Sequence, residues 1–326
     1  MFLFILSNIL TAQTTWIVNN NPNQYADFTT LQEAVDGANN GDILMIQPSP
    51  NSYGGADILK TLTIVGGGYL KDYNASILGS EWESEIGNIN LYLGSEGSII
   101  KGVEANTIDI YTSNILIEHC YFPIDNTSIN IDGTGASTTF GLSWNSISNI
   151  KINKNRIHGD VYVRDTVENC VIRNNYLDRV VNTIDNHTLL VYNNTFTQTV
   201  SPNDNIIFYN NIIKTGSINE CNTCLNANIS YNMASGSVPA IYNNTGDVDM
   251  STVFVSGTTH AIIDDPSNPV IGTGINGEDL GMHGGDDPYV SYGIPDHPEI
   301  YFLSSPAMQT PESGGLPVEV KVRTNN

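Results

Sequence analysis

The basic residues of this acidic sequence are concentrated in one short stretch. The chain has 326 residues with 12 Lys+Arg against 34 Asp+Glu, a formal net charge of −22. Half of the basic residues lie between positions 151 and 179: Lys151, Lys154, Arg156, Arg164, Arg173 and Arg179. Lys and Arg side chains pair well with carboxylate and sulfate groups. This stretch is therefore where we expect an acidic polymer, such as a uronate or sulfated polysaccharide, to bind.

The acidity of the whole chain argues against nucleic acid and anionic lipid as partners, because phosphate binding requires many clustered Lys and Arg side chains. Residues 1–13 form a short apolar run that ends in small and polar residues, which is typical of a secretory signal peptide. The usual basic start is absent, so a buried first strand is the alternative. No later segment is apolar enough to span a bilayer. We expect a secreted or cell-surface monomer without membrane insertion.

A repeat of about 20 residues organises the middle of the chain, with copies starting at residues 113, 148, 168, 187, 204 and 225. Its third and fifth positions are mostly apolar, as in Ile150 and Ile152, and this period of two indicates one buried face of a strand. Its eighth position is Asn in every copy except the first, which has Cys120. Asn tolerates left-handed backbone geometry, and stacked amides can hydrogen-bond along a column. One strand and one Asn corner per repeat predict a parallel β-solenoid.

The sixth position of the repeat points outward and places Arg173, Tyr192 and Tyr209 in one column, with neighbours about 4.8 Å apart. Aromatic faces offer apolar area to sugar C–H groups, and Arg can pair with an acidic sugar. We therefore expect substrate-binding roles for Tyr192 and Tyr209, and for Arg156 in the same basic stretch. The alternative is an outer tyrosine ladder favoured only by β propensity.

The four cysteines and the long interval between the first two copies of the repeat also carry structural information. Cys120 and Cys170 fall within the strands, which indicates small core residues. Cys221 and Cys224 form an isolated CxxC, for which a local disulfide or two free thiols fit better than zinc. The longer interval between the first two copies predicts an inserted loop around residues 132–139.

The region before the repeat predicts a short helix. Thr30 and Glu33 form a capping box, and Leu31, Ala34 and Val35 give the segment an apolar face. Residues 27–36 read DFTTLQEAVD, and GDILMI follows at residues 41–46. Together with the repeat, these two motifs resemble the pectin-lyase-like superfamily. The resemblance implies an all-β, single-stranded, right-handed parallel β-helix, with a helix that caps its N-terminal end.

The resemblance extends into the C-terminal part of the chain. Residues 272–289 resemble the closing coil of secreted bacterial β-helix proteins, so the solenoid is expected over residues 14–292. Within this segment Asp279 and Asp286 supply oxygen ligands suited to Ca²⁺, although tight turns alone would also explain the composition. Residues 293–326 are rich in proline and predict an irregular tail with one edge strand at 317–323, lying back along the solenoid.

The resemblance also implies chemistry, because many members of the superfamily are polysaccharide lyases or hydrolases. A lyase of this fold needs a base, usually Lys or Arg, and a cation that neutralises the uronate carboxylate. Lys151 and Arg173 would be the base and the acid. The metal-ligand candidates beside them are Asp160 and Asp165. His158 and Asp178 occupy the same position in adjacent coils and would form an acid–base pair.

Three observations oppose a catalytic assignment: the sequence has no polygalacturonase signature, it has no pectate-lyase signature, and ion pairs along the solenoid flank would equally explain the clustered charges. We therefore expect a protein that binds an acidic polysaccharide, with lyase or hydrolase activity left open and Ca²⁺ as the candidate cofactor. The rival hypothesis is a non-catalytic surface or matrix solenoid with a structural or adhesive role.

Overall fold

The computed structural model shows a parallel β-solenoid, as the repeat predicts. It describes residues 13–69, 82–133, 146–164, 167–182, 189–203, 205–219, 228–240, 243–255, 261–289, 299–304 and 319–323. Residues 1–12, Asp165, Cys221 and Cys224 lie outside these ranges, as does most of the loop expected around 132–139.

The strands are short and follow one another at regular intervals along the chain. The first half contains β1 (Thr15–Val18), β2 (Ile43–Ile46), β3 (Ala56–Ile58), β4 (Thr63–Val65), β5 (Glu85–Ile86), β6 (Ile89–Leu91), β7 (Ile99–Lys101), β8 (Glu104–Ala105), β9 (Ile108–Ile110), β10 (Leu116–Glu118), β11 (Tyr121–Ile131), β12 (Ile147–Ser148) and β13 (Lys151–Asn153). The second half contains β14 (Arg156–Val163), β15 (Val167–Glu168), β16 (Cys170–Arg173), β17 (Tyr176–Asn182), β18 (Leu189–Tyr192), β19 (Thr195–Phe196), β20 (Ile206–Tyr209), β21 (Ile212–Ile213), β22 (Asn228–Ser230), β23 (Met233–Ala234), β24 (Glu299–Ser304) and β25 (Glu319–Arg323).

Two long parallel sheets form the walls of the solenoid. The first has ten strands in the order β1-β2-β4-β7-β10-β13-β16-β18-β20-β22. The second has eleven, running from β3 through β6, β9, β11, β14, β17, β19 and β21 to β23, while β8 pairs with β11 and β5 pairs with β8. The register of the first sheet agrees with the repeat alignment. Lys151 pairs with Leu116 on one side and with Val171 on the other. Each repeat is therefore one coil.

Where the structure describes both ends of a first-sheet strand in the repeat, the coil turns through a left-handed corner at each end. The repeat predicted left-handed geometry at the eighth position, but the structure places it at the second and seventh positions. The second-position residues with positive φ are Asn114, Asn149, Asn169 and Asn205. The seventh-position residues are His119, Lys154, Asn174, Asn193, Asn210 and Tyr231, with φ between 52° and 54°. Asn adopts this conformation more readily than most residues, which explains its frequency at both corners.

The eighth-position asparagines form the predicted ladder inside the wall. Asn155 donates from its backbone N and its Nδ2 to Asn175 Oδ1, at 2.9 and 3.0 Å. The same pair of bonds joins Asn175 to Asn194 and Asn194 to Asn211. Every amide in this run is fully buried. Because buried amides are costly unless bonded, the ladder holds successive coils at one spacing.

The apolar positions of the repeat line one continuous core. The residues at its third, fifth and tenth positions are buried in every described copy, as predicted. Aromatic side chains contribute to this core, and the rings of Phe196 and Phe208 lie 5.5 Å apart. Cys120 and Cys170 are buried free thiols in this core, as expected.

The N-terminal motifs of the sequence form a helix and the first coil. Helix α1 spans Leu31–Gly37, and the Thr30 hydroxyl accepts a hydrogen bond from Glu33 N at 3.3 Å. The three apolar side chains predicted to form its buried face are buried in the main core. That the helix caps the open end of the solenoid stays a prediction.

The C-terminal tail contains more regular structure than the sequence indicated. The expected edge strand is β25, and it pairs antiparallel with β24, which the sequence analysis missed. Two short 3-10 helices precede the tail, at Met250–Thr252 and Ile275–Gly277.

The buried thiols lead to a labelling prediction. Burial raises the pKa of Cys120 and of Cys170 to about 12. Because the thiolate is the reactive form, neither thiol should react with iodoacetamide at pH 8 in the folded protein, and both should react in 6–8 M urea, roughly the range that unfolds stable domains. Peptide mass spectrometry distinguishes these two cysteines from Cys221 and Cys224. Modification of Cys120 or Cys170 in the native protein would contradict their placement in the core.

Candidate functional site

A C-terminal segment returns along the outside of the solenoid and covers one corner of its wall. We call residues 272–289 the strap. The strap contacts Asn210 first, then Thr195 and Asn174, and its last residue contacts Tyr69. It therefore runs back past earlier coils, rather than closing the end of the solenoid as the resemblance implied.

The amides of the seventh-position column hold the strap. Asn174 Nδ2 donates to the backbone oxygens of Met282 and Gly284, at 3.1 and 2.8 Å. Asn210 accepts from the backbone N of Ile275 at 2.9 Å and donates to Glu278 Oε2 at 3.1 Å. A left-handed corner turns these side chains outward, so the column is free to bind a second segment while the eighth-position ladder stays inside.

The far end of the strap is anchored by charge and by aromatic packing. Asp287 binds Arg173 Nη2 at 2.9 Å through Oδ2, and it binds Lys154 Nζ through Oδ1. The hydroxyls of Tyr289 and Tyr69 lie 2.5 Å apart within a small cluster that includes Met282. The strap is thus fixed at both ends, and its middle forms a wall opposite the first sheet.

A groove of about 280 Å³ lies between the strap and the outward face of the first sheet. The solenoid side is formed by Arg173, Asn174, Tyr192, Asn193 and Tyr209, and the strap side by Ile275, Asn276, Glu278, Gly285 and Asp286. The groove is the candidate functional site, because it brings three sixth-position residues of the repeat opposite a set of polar strap residues.

The two groove tyrosines stack on each other. The rings of Tyr192 and Tyr209 are 4.9 Å apart and nearly parallel, with an interplanar angle of 2°. One face of each ring is therefore covered by its neighbour, which agrees with the ladder alternative, while both residues line the groove. Burial, followed by Tyr192 and Glu278, raises the pKa of Tyr209 to about 12, so its hydroxyl is a neutral donor at physiological pH.

One buried acceptor in the groove lacks a partner. Asn193 is 1% exposed, and its Oδ1 has no hydrogen bond among the described residues. Buried polar atoms are seldom left in this state. A donor from a bound molecule, such as a sugar hydroxyl, would satisfy this oxygen after a small adjustment of the wall.

The structure does not bring the expected lyase pair together. Lys151 is exposed on β13 and lies beside Val171, whereas Arg173 lies beside Asn153, two residues further along the strands. Arg173 is also engaged by Asp287. The proposed base and acid therefore lie at different positions of the sheet, and Arg173 alone lines the groove.

The other candidate residues near the basic stretch are engaged with neighbouring side chains. His158 Nε2 accepts from Arg156 Nε at 3.2 Å, and the Arg156 guanidinium lies 5.3 Å from the centre of the Tyr121 ring. Asp178 accepts a hydrogen bond from the Thr197 hydroxyl. The register pairs Ile157 with Leu177 and Asp160 with Arg179, and it shifts by one residue between these two pairs. His158 and Asp178 lie within this shift, so their equivalence stays a prediction.

Two of the expected calcium ligands are engaged by other groups of the protein. Asp160 is buried and receives two hydrogen bonds from Arg179, at 3.0 and 2.7 Å. Asp279 accepts from the backbone N of Gly272, and Asp286 is exposed beside the groove. Over the described parts of the chain, no group of three or more His, Cys, Asp or Glu side chains is placed to hold a metal ion.

The sequence analysis missed several contacts that build the groove and hold the strap. Asn174, Asn193 and Asn210 are adjacent to the ladder asparagines, and we assigned the whole Asn-Asn pair to one corner. Their presence in three successive copies was a usable signal, because a second column of amides has no role in the core. Glu278 and Asp287 carried no such signal, since their partners lie far away in the sequence.

A second cluster of ionisable groups lies on the second sheet, away from the groove. Glu104 on β8 is beside Glu85 on β5. Burial, followed by the charges of Glu83 and Glu85, raises the pKa of Glu104 to about 7. Ionising this carboxyl therefore costs folding free energy, and the cost grows as the pH rises from about 4.5 to above 7.

We expect Glu104→Gln to stabilise the protein by about 1–2 kcal/mol at pH 8, allowing for solvent screening, and to have little effect at pH 5. Urea unfolding at the two pH values measures the difference. The exposed Asp264→Asn serves as the control for removing one negative charge. A gain for Glu104→Gln that is equal at both pH values would contradict the raised pKa.

Comparison with known proteins gives no assignment for this chain. No protein-family model matches the sequence. No curated protein matches it either. Within the described ranges, no helix is long and apolar enough to cross a membrane.

Proposed function

We propose that this protein is a secreted or cell-surface member of the pectin-lyase-like superfamily that binds a polysaccharide in the groove. The parallel coils, the internal asparagine ladder and the DFTTLQEAVD and GDILMI motifs support the superfamily assignment. The observation that carries the binding proposal is the groove itself, where tyrosine edges, amides and Arg173 meet in one concave site.

The geometry favours binding over cleavage. Arg173 is the groove residue with the chemistry of a lyase base or acid, and it is paired with Asp287. Lys151 lies outside the lining of the groove. A sugar positioned by Tyr192 and Tyr209 would therefore meet hydrogen-bonding groups, the carboxylates of the strap side and one cation that is already paired.

The charge of the groove determines which saccharide fits. Glu278 and Asp286 line the strap side and would repel a uronate. Because the described side chains form no complete metal site, Ca²⁺ would have to be shared between Asp286 and the uronate itself, which would remove part of this repulsion and allow an acidic polysaccharide to bind. We therefore propose that the ligand is an acidic polysaccharide and that Ca²⁺ is the cofactor. If Ca²⁺ has no effect on binding, the proposed ligand is a neutral polysaccharide.

A binding panel tests the proposal. Isothermal titration with alginate, homogalacturonan, glycosaminoglycans and neutral glucans, each with Ca²⁺ and with EDTA, identifies the ligand class.

Tyr209→Ala should weaken binding about tenfold, the loss expected for one aromatic contact in a site. Tyr111→Ala is a matched control, because Tyr111 stacks on Tyr92 on the second sheet at 5.3 Å. Binding that is unaffected by Tyr209→Ala would place the ligand elsewhere. Ultraviolet absorbance of the unsaturated product reports any lyase activity in the same samples.

A structural role is the second candidate. The ion pairs Arg179–Asp160 and Arg164–Asp132 lie along the flank, and the ladder fixes the coil spacing, so the solenoid is suited to a rigid spacer or adhesive rod. Failure of every saccharide in the panel to bind would favour this role.

A further inference from the structure

The carboxylate of Asp287 lies between two cations from successive coils. One oxygen binds Lys154 Nζ, and the other binds Arg173 Nη2 at 2.9 Å. The Lys154 side chain is 8% exposed, whereas that of Asp287 is 44% exposed. The strap thus covers a nearly buried ammonium and supplies its counter-charge.

Lys154 differs in charge from the asparagines that follow it in its column. Asn174 and Asn210 occupy the same position in other coils and bind the strap through neutral amides. A buried ammonium costs far more free energy than a buried amide unless a counter-charge is present. The position therefore requires an anion, and a carboxylate that bridges Lys154 and Arg173 meets that requirement.

We propose that Lys154 and Arg173 form an anion-binding site for the carboxylate or sulfate group of a saccharide, and that Asp287 occupies this site as an intramolecular competitor. Arg173 also lines the groove, together with Gly285 and Asp286 next to Asp287. A saccharide in the groove would exchange its acidic group for Asp287, and both cations would stay neutralised. The strap is then an autoinhibitory contact. The identity of the saccharide rests on the proposed function, but the anion site does not.

Small anions test the site without any saccharide. Asp287→Ala removes the internal carboxylate and leaves room for formate. In sodium formate, the Tm of Asp287→Ala should rise by about 2–4 °C relative to sodium chloride at the same ionic strength, if formate is present at roughly ten times its Kd. The wild-type Tm should change by less than about 1 °C, because Asp287 fills the site.

Two further variants make the result specific. Asp279→Ala loosens the strap without exposing a cation pair, because Asp279 accepts from the backbone N of Gly272, so formate should not shift its Tm. Adding Arg173→Gln to Asp287→Ala should abolish the formate shift. Equal shifts in all variants, or no shift in Asp287→Ala, would overturn the proposal. If Asp287→Ala folds only poorly, formate should increase the yield of refolded protein, and the lack of any such increase would overturn it too.

A binding measurement with a saccharide distinguishes failure of this proposal from failure of the proposed function. A galacturonate oligosaccharide should bind Asp287→Ala about tenfold more tightly than the wild type, one charged contact being freed. A formate shift without saccharide binding to either protein would leave the anion site intact and refute the polysaccharide function. Saccharide binding without a formate shift would support the polysaccharide function and refute the anion site.

Discussion

Replacing Asn194 by Ala should destabilise the protein by about 3–5 kcal/mol. The Asn194 side chain is fully buried, accepts from Asn175 N and Nδ2 at 3.0 Å, and donates to Ile172 O at 2.9 Å. Its removal leaves a buried N–H and a buried carbonyl without their partners, and each costs about 1–3 kcal/mol. Urea unfolding followed by circular dichroism measures the loss.

Asn90→Ala is the matched control for the ladder. Asn90 also bridges two coils, since its Nδ2 donates to Asp57 Oδ1 at 2.7 Å, but it does so on the outer face of the second sheet. Water replaces that bond, so the cost should stay below about 1 kcal/mol. Similar costs for Asn194→Ala and Asn90→Ala would mean that the ladder does not hold the coils together.

Gly284→Ala should detach the strap. A Cβ at Gly284 would lie 1.9 Å from Asp279 O and 2.7 Å from Asp279 C, both backbone atoms that cannot move without opening the turn. The carbonyl of Gly284 accepts from Asn174 Nδ2, so this contact would be lost as well. We expect a loss of about 2–4 kcal/mol, together with cleavage of residues 272–289 by a broad-specificity protease and loss of groove binding.

Gly277→Ala is the control for Gly284→Ala. It shows whether any substitution of a strap glycine detaches the strap, or only one that creates a steric clash. Gly277 has a φ of +79°, but a Cβ there would meet nothing within 4 Å. Only the left-handed conformation opposes the change, at about 1–2 kcal/mol. The strap should stay protected from the protease in Gly277→Ala. Equal protease sensitivity in the two variants would show that steric contact at Gly284 does not determine docking.

The repeat allowed the coils to be predicted with their register. The alignment that pairs Lys151 with Leu116 and Val171 came from the recurring apolar and asparagine positions, and the structure has the same pairing. The ladder was also predicted, but its left-handed corner was placed one residue too late. Both members of each Asn-Asn pair tolerate such geometry, so residue type could not decide between positions 174 and 175.

The groove was predicted only on its solenoid side. Arg173, Tyr192 and Tyr209 follow from the sixth position of the repeat, whereas Glu278 and Asp286 come from a segment expected to close the last coil. Either polysaccharide binding or ion pairs along the flank explained the basic cluster, and Lys154, Arg173 and Arg179 are paired with carboxylates. The alternative of ion pairs along the flank therefore describes most of this stretch.

The architecture of the coils can be predicted from the residues alone, because each coil repeats the same inward, outward and corner positions, and neighbouring copies pair at short range. The path of the strap and the partner of each cation cannot, because both depend on how distant segments meet in the folded chain. Asp287 meets Arg173 across 114 residues of chain, through complementary charge and the fit of the strap against a column of amides. Such a contact does not recur with the repeat, so it cannot be predicted from the spacing of residues in the sequence.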